Sequence, residues 1–362
     1  MKKAGSVEDF EMEPVSVPTS PAGEISDDLN EEDGRKNSCL KSKVVAKSRN
    51  ILVEIRGKVL ALKKLVEDKW LQPYGCISKS DTTRTYQVWP GNNVFFFHGR
   101  LVCGPDPRGL LLTTVSILVS SWNFAMYNGD DLSQFPRLVV PFSVVLTIIV
   151  LVSLIIASTT DPGIIPRNDS ASVDEIGPSN GTRRKRVIVN GVELKLKYCR
   201  VCKITRPPRS CHCAICDNCV EKFDHHCPWI GQCIALRNYR FYLMFVVSAL
   251  MYFIYIFAFS CWRIRRRMLR TGTGLLGMLK HFPDTLALVS FSFAAIWFLG
   301  GLVVFHGYLI SINQTSYENF RHCYLDSKNP FDKGIFSNIK DILCRPSPSS
   351  RVDFRAEAMP ST

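Results

Sequence analysis

Within thirty-five residues, Cys199 to Cys233, the chain places eight of its fourteen cysteines and three of its seven histidines. They run Cys199-x2-Cys202, His212-Cys213-x2-Cys216-x2-Cys219, Asp224-His225-His226-Cys227 and Cys233, with Cys211 beside His212. Thiolates and imidazoles at this spacing select zinc over hard cations, and two closed tetrahedral sites consume eight donors, four each. The histidines make an iron–sulfur cluster the poorer fit. His225 and Cys227 are then left beside Asp224, with Cys211 also outside the sites. A thiol, an imidazole and a carboxylate are the parts of an activated nucleophile: the imidazole takes the thiol proton, and the carboxylate fixes the imidazole tautomer. Consecutive side chains rarely converge unless the backbone is tightly held, and zinc ligands on both sides supply such a hold.

The flanking sequence indicates that membrane helices must position this cluster. Residues 109–128, 138–160, 241–262 and 285–312 carry no Asp, Glu, Lys or Arg. Each is long enough to cross ~30 Å of hydrocarbon as a helix. An even number of spans puts both termini on one side. The loop 161–238 holds thirteen Lys and Arg, whereas the loop after the first span holds Asp130, Asp131 and a single Arg137. Loop charge therefore predicts that the cluster and both termini face the cytosol. One loop dissents, because Arg263, Arg265, Arg266, Arg267, Arg270 and Lys280 lie between the third and fourth spans. Reduced thiols agree with the cytosolic assignment. The glycosylation-type triplets at Asn168, Asn180 and Asn313 are accordingly expected to stay unmodified. No apolar span lies near the N-terminus, so no cleaved signal peptide is expected.

The net charge of +13 sits largely beside the spans. No helix-turn-helix or stacked-aromatic pattern accompanies it, so the expected partner of that charge is the lipid bilayer and not nucleic acid. Residues 1–48 read as a disordered tail, poor in apolar groups. Within residues 49–108, the spacing of Ile51, Ile55, Val59, Leu62 and Val66 predicts an amphipathic helix over 51–70, ahead of a pre-membrane segment. The first two spans fill 109–160, the cysteine-rich domain 161–238 and the last two spans 239–312. Asn190-Gly191, flanked by alternating residues, predicts a two-residue hairpin leading into the cluster. After the fourth span, 313–345 reads as a compact segment and 346–362 as a disordered Pro-Ser-rich end. Cys323 and Cys344 are juxtamembrane candidates for acylation.

Over roughly residues 85–340 the chain resembles the DHHC-type protein S-acyltransferases, or palmitoyltransferases. The specific part is Cys199-x2-Cys202-x3-Arg206-Pro-x-Arg209-x2-His212-Cys213-x2-Cys216-x2-Cys219-x4-Asp224-His225-His226-Cys227-x-Trp229. Asp161-Pro162-Gly163 after the second span and Thr315-Ser316-Tyr317-Glu318 after the fourth belong to the same resemblance, and Tyr86-Gln-Val-Trp-Pro-Gly-Asn-Asn93 looks like the plant members. The resemblance implies an α-helical polytopic membrane protein, with four transmembrane helices and a cytosolic cysteine-rich domain binding two zinc ions. It implies one zinc site from Cys199, Cys202, His212 and Cys219, and a second from Cys213, Cys216, His226 and Cys233. Cys227 would accept an acyl group from palmitoyl-CoA, His225 would act as base and Asp224 would orient it. The acyl group would then pass to cysteines of substrate proteins near the membrane. The resemblance also implies an acyl cavity, for which Trp229, Tyr242, Phe245 and Tyr252 are candidate lining residues, while Arg206 and Arg209 suit the phosphates of coenzyme A.

The chain departs from the family pattern at Gln232-Cys233-Ile234-Ala235, where Asn-Cys-x-Gly is usual. Gln lengthens an amide, and Ala strains the turn if φ is positive there. Ser316 stands for a usual Thr and keeps a hydroxyl that can meet Asp224. Cys211, where His or Ser is common, could compete for zinc or oxidise. Two other functions compete with acyl transfer: an inactive zinc scaffold, which those departures would favour, and a membrane ubiquitin ligase, whose cross-braced ligand order this spacing does not follow.

Overall fold

The computed structural model describes residues 83–129, 138–168, 185–272, 274–325 and 327–358. The tail 1–48, the amphipathic helix expected over 51–70 and most of the linker before the hairpin lie outside them.

Among the described residues, four helices are long and apolar enough to cross a membrane: α1 (Arg108–Gly129), α2 (Val139–Thr159), α3 (Tyr239–Thr271) and α5 (Pro283–Ser311), with the short α4 (Leu275–His281) before the last. Their cores coincide with the four uncharged stretches, because in hydrocarbon every backbone group must be paired within the helix. That constraint overrides the weak helix propensity of the Val and Ile that fill α2. Hydroxyls inside the spans bond to carbonyls one turn back, as Thr147 does to Ser143 O at 2.8 Å. They also bridge helices, with Ser121 Oγ 3.0 Å from Thr147 Oγ1 and Ser153 Oγ 3.3 Å from Ser248 Oγ. α3 packs against α2 and α5, and α1 against α2. α3 runs nine residues past the end of its apolar stretch, through the arginine cluster, until Gly272 closes it with a left-handed φ of 65°.

The described residues of the cysteine-rich region form no extended sheet. They form two-stranded antiparallel ladders: β3 (Arg186–Val189) with β4 (Val192–Lys195), β5 (Tyr198–Cys199) with β6 (Ile204–Thr205), β7 (Cys211–Cys213) with β8 (Asn218–Val220), and β9 (His225–Cys227) with β10 (Gln232–Ile234). The first is the hairpin at Asn190-Gly191, whose φ values of 47° and 80° are those of a type I′ turn. Ahead of α1, β1 (Val94–Phe96) pairs with β2 (Leu101–Cys103). Beyond α5 come α6 (Ser316–Phe320) and the amphipathic α7 (Ile335–Leu343).

The expectation of a disordered end from Pro346 needs correction over 346–358. Val352 and Phe354 are buried with Val102 and Ile164, and the Phe354 ring lies 5.2 Å from Trp89 and 5.0 Å from Phe95. Arg84 forms an antiparallel bridge with Glu357, and Ser350 Oγ donates to Asp161 Oδ2 at 2.6 Å. The Pro and Ser content concealed two apolar anchors that this small cluster takes up.

Candidate active site and metal centres

Side-chain alternation along the short strands accounts for the metal centres. In β7–β8, His212 pairs across from Cys219, while Cys213 points to the other face. In β9–β10, His226 pairs across from Cys233. Each pair anchors one set of four. Cys199, Cys202, His212 and Cys219 bring their donor atoms within 4.8 Å of one another, and so do Cys213, Cys216, His226 and Cys233. His226 Nδ1 lies 3.6, 3.4 and 3.7 Å from the sulfurs of Cys213, Cys216 and Cys233. Those separations are the edges of a tetrahedron around an ion bonded to nitrogen at ~2.0 Å and sulfur at ~2.3 Å. In the first set, His212 Nδ1 lies 3.5 Å from Cys202 Sγ and 3.9 Å from Cys219 Sγ. Its Nε2 faces Asp217 Oδ1 at 3.4 Å, which leaves Nδ1 for a metal. Both sets fit zinc. Cys211 belongs to neither: its sulfur is approached by Arg206 Nη1 at 3.8 Å.

Alternation also separates the consecutive residues 225–227 between two faces. With His226 turned to the metal face of β9, His225 and Cys227 fall on the opposite face together. His225 Nδ1 lies 2.8 Å from Asp224 Oδ2. Asp224 is buried and receives the Ser316 backbone N–H at Oδ1 and the Ser316 hydroxyl at Oδ2, both at 2.8 Å. Burial alone would lower the pKa of His225, but its hydrogen bonds to Asp224 and Cys227 outweigh that and raise it to about 9. Burial likewise opposes ionisation of Asp224, and the bonds to His225 and Ser316 overcome it and hold the carboxyl below its ordinary range. The arrangement is a buried carboxylate, an imidazole oriented by it and a cysteine sulfur on the same strand face. Cys227 itself lies in the apolar cluster formed by the helices.

Ser316 opens α6, whose capping box joins Thr315 to Glu318. Glu318 in turn grips Arg209, with Oε1 at 2.8 Å from Nε and Oε2 at 2.6 Å from Nη2. Arg209 also donates to Asn313 Oδ1 and O, both at 2.9 Å, and its guanidinium stacks on Phe331. Its assignment to coenzyme A phosphates is therefore corrected: the donors are spent inside the protein, where they lock the segment after α5 against the cysteine-rich region. Asp161 accepts from Gly163 and Ile164 N–H at 2.9 Å and from Arg237 Nη1 at 2.6 Å, which fixes the turn after α2.

Tyr242, Phe245 and Tyr252 are buried in the same cluster as Cys227, and the Tyr252 hydroxyl reaches Ile117 O across to α1 at 3.2 Å. Trp229 is not among them; it is about half exposed, and its carbonyl accepts from Thr113 Oγ1 at 3.1 Å. His306 escaped the sequence reading. Buried in α5, it meets the Tyr239 hydroxyl at 2.9 Å and the Tyr242 hydroxyl at 3.1 Å, and Tyr242 stands edge-on to His225 with centroids 5.3 Å apart. An ionisable side chain inside a span is itself a functional signal, and it was the one available.

Of the two departures at the β10 strand, Ala235 fits without strain, while Gln232 pairs its amide nitrogen and leaves its buried Oε1 without a partner. Gln232 is fully buried, and its amide nitrogen lies 3.3, 3.0 and 2.9 Å from the carbonyl oxygens of Ala157, Ser158 and Thr160, so the longer side chain caps the end of α2. Ala235 is absent from the positive-φ residues, so its methyl meets no backbone strain. Glycine is needed instead where α1 meets the reactive turn. A Cβ on Gly104 would collide with Gly231 O, and one on Gly109 with Pro228 O. A cleft beside Asp224 is lined by Lys222, Tyr239, Arg240, Thr315 and Arg345, among others.

Comparison with known proteins agrees with this geometry. Residues 192–322 match the family model described as DHHC palmitoyltransferase. The chain is 43% identical to probable protein S-acyltransferase 5 of Arabidopsis thaliana, over 78% of this chain and 63% of that protein. It is 44% identical to probable protein S-acyltransferase 6 of Arabidopsis thaliana, over 75% of this chain and 70% of that protein. With human palmitoyltransferase ZDHHC14 the identity is 38%, over 77% of this chain and 61% of that protein. The chain belongs to the DHHC palmitoyltransferase family. It spans 63% and 66% of the lengths of the first two Arabidopsis thaliana relatives it matches, acyltransferases 5 and 7.

Proposed function

We propose that the protein is a protein S-acyltransferase, which takes a long-chain acyl group from acyl-CoA onto Cys227 and passes it to cysteines of substrate proteins at the cytosolic membrane face. The observation that carries this reading is the position of Cys227, which joins the apolar helix cluster while sharing a strand face with an imidazole held by a buried carboxylate. A thiol there can meet a thioester whose chain lies among the helices.

In the first step the Cys227 thiolate attacks the thioester carbonyl, a new thioester forms, and the coenzyme A sulfur leaves with the proton held by His225. In the second, an incoming cysteine gives its proton to His225, its sulfur attacks the acyl-enzyme, and Cys227 departs as thiolate. Exchange of one thioester for another needs little driving force, so the protein's tasks are thiolate formation and placement. Asp224 keeps the imidazole oriented through both steps. Tyr242, Phe245 and Tyr252 are assigned to the acyl chain. For the donor phosphates, Lys222, Arg240 and Arg345 around the cleft beside Asp224 replace Arg209. The zinc ions, when bound, supply structure and no reacting group.

Autoacylation with labelled palmitoyl-CoA tests the reading. Wild type is expected to take up hydroxylamine-sensitive label and Cys227→Ser to take up none while retaining its zinc; full labelling of Cys227→Ser would overturn the assignment.

A further inference from the structure

Loop charge places the arginine-rich end of α3 where an excess of positive residues is not expected, and acyl transfer makes no use of it. At 1.5 Å per residue, Arg263 lies about 36 Å along α3 from Tyr239. That is roughly one bilayer core away from the cysteine-rich region, at headgroup depth in the opposite leaflet. By sequence this end carries Arg137, Arg263, Arg265, Arg266, Arg267, Arg270 and Lys280 against Asp130, Asp131 and Asp284.

The three consecutive arginines have different surroundings. Arg266 stacks on Trp262 with its guanidinium 5.1 Å from the ring, and Arg267 stacks on Phe282 at 4.1 Å. Arg265 is exposed and lines an open groove of 400 Å³, whose other walls include Cys261, Ile264, Met268, Leu275 and Val289. The groove is apolar throughout, the arginine included, which lines it with its aliphatic stem. Its size and composition suit a hydrocarbon chain, and the exposed Arg265 beside it is available to a phosphate. Guanidinium groups meet phosphate through forked hydrogen bonds, and basic residues near a membrane surface each favour anionic lipid.

We infer that the groove between α3, α4 and α5 binds one anionic diacyl phospholipid of the leaflet opposite the cysteine-rich region, an acyl chain lying along Ile264, Met268 and Val289 and the phosphate meeting Arg265. The site accounts for the dissenting loop charge: the arginines serve a lipid, and the span order need not be changed. It is independent of the chemistry at Cys227.

Native mass spectrometry of the full chain tests it, with detergent-solubilised protein titrated with phosphatidylglycerol or phosphatidylcholine of the same chains. Wild type is expected to retain one phosphatidylglycerol at about tenfold lower concentration than phosphatidylcholine. Arg265→Gln is expected to lose about fivefold of that preference, in keeping with roughly 1 kcal/mol per basic residue. Val289→Trp, which fills the groove and leaves the charge untouched, should reduce retention of the lipid itself. A control pair far from the groove, Lys195→Gln with Lys197→Gln, should change neither. The inference is overturned if Arg265→Gln keeps the full preference, if Val289→Trp retains the lipid unchanged, or if the control pair abolishes the preference. Zinc content and autoacylation of the same samples separate a misfolded variant, or a failure of the acyltransferase reading, from a failure of the lipid site.

Discussion

Ser316 is attached to Asp224 by two bonds of unequal replaceability, one from its backbone and one from its hydroxyl. Ser316→Ala removes only the second, worth about 1.5–3 kcal/mol when the acceptor is charged. Autoacylation is expected to slow by roughly one to two orders of magnitude without vanishing, and Ser316→Thr to restore it, as initial rates would measure. The His225 proton permits a sharper test. Its pKa in the fold is about 9, above the ordinary 6.5, so its contribution to order is full below that ordinary value and is lost as pH climbs through about 9. Asp224 runs in the opposite sense: lowered in the fold, its contribution is present above the ordinary carboxyl range and lost as pH falls. Asp224→Asn removes the partner that raises His225. The NMR titration of the His225 imidazole should therefore move down from about 9, and an unmoved titration would mean that another group holds the proton up. The grouping of Asp224, His225 and Cys227 was readable in sequence because thiols, imidazoles and their spacing announce themselves. The pairing of Arg209 with Glu318 was not, since the two are over a hundred residues apart and either could have faced a ligand.

At the scale of elements, the two donor sets share the β7–β8 hairpin, where His212 and Cys219 serve one and Cys213 the other. Cys216→Ser is therefore expected to reduce zinc by more than one equivalent per chain, read by elemental analysis, because loss of one ion loosens the strands that present donors to its neighbour. The end of α2 depends on the same region through Gln232. Gln232→Glu puts a carboxylate against three carbonyls at the negative end of the helix, and should lower the melting temperature more than Gln232→Ala does. The helices were legible because length without charge has one meaning in a polypeptide. The strap formed by 346–358 was not, because two apolar residues among Ser and Pro look like noise until their receptors, Trp89, Phe95 and Val102, are assembled from distant sequence. Phe354→Ala should cost about 3–5 kcal/mol if that site cannot collapse. Rapid protease cleavage near Pro346 would report the release.

For the whole molecule, the proposed cytosolic side of the cysteine-rich region can be tested by glycan occupancy, but the sites are not equivalent. Asn313 is buried, its Oδ1 held by Arg209 and its Nδ2 by Phe331 O and Asn338 Oδ1. Its unmodified state carries no topological information, so the expected absence of glycan should be read at Asn168 and Asn180, with a triplet introduced in the loop between the first two spans as the positive control. One further property follows from the contact between Gly104, Gly109 and the turn from Pro228 to Gly231. Backbone there meets backbone, with no flexible side chain between to absorb a displacement. A change in the tilt of the first transmembrane helix is therefore expected to displace that turn, and autoacylation in bilayers of different acyl-chain length, unchanged if the turn stays put, measures whether the displacement reaches Cys227.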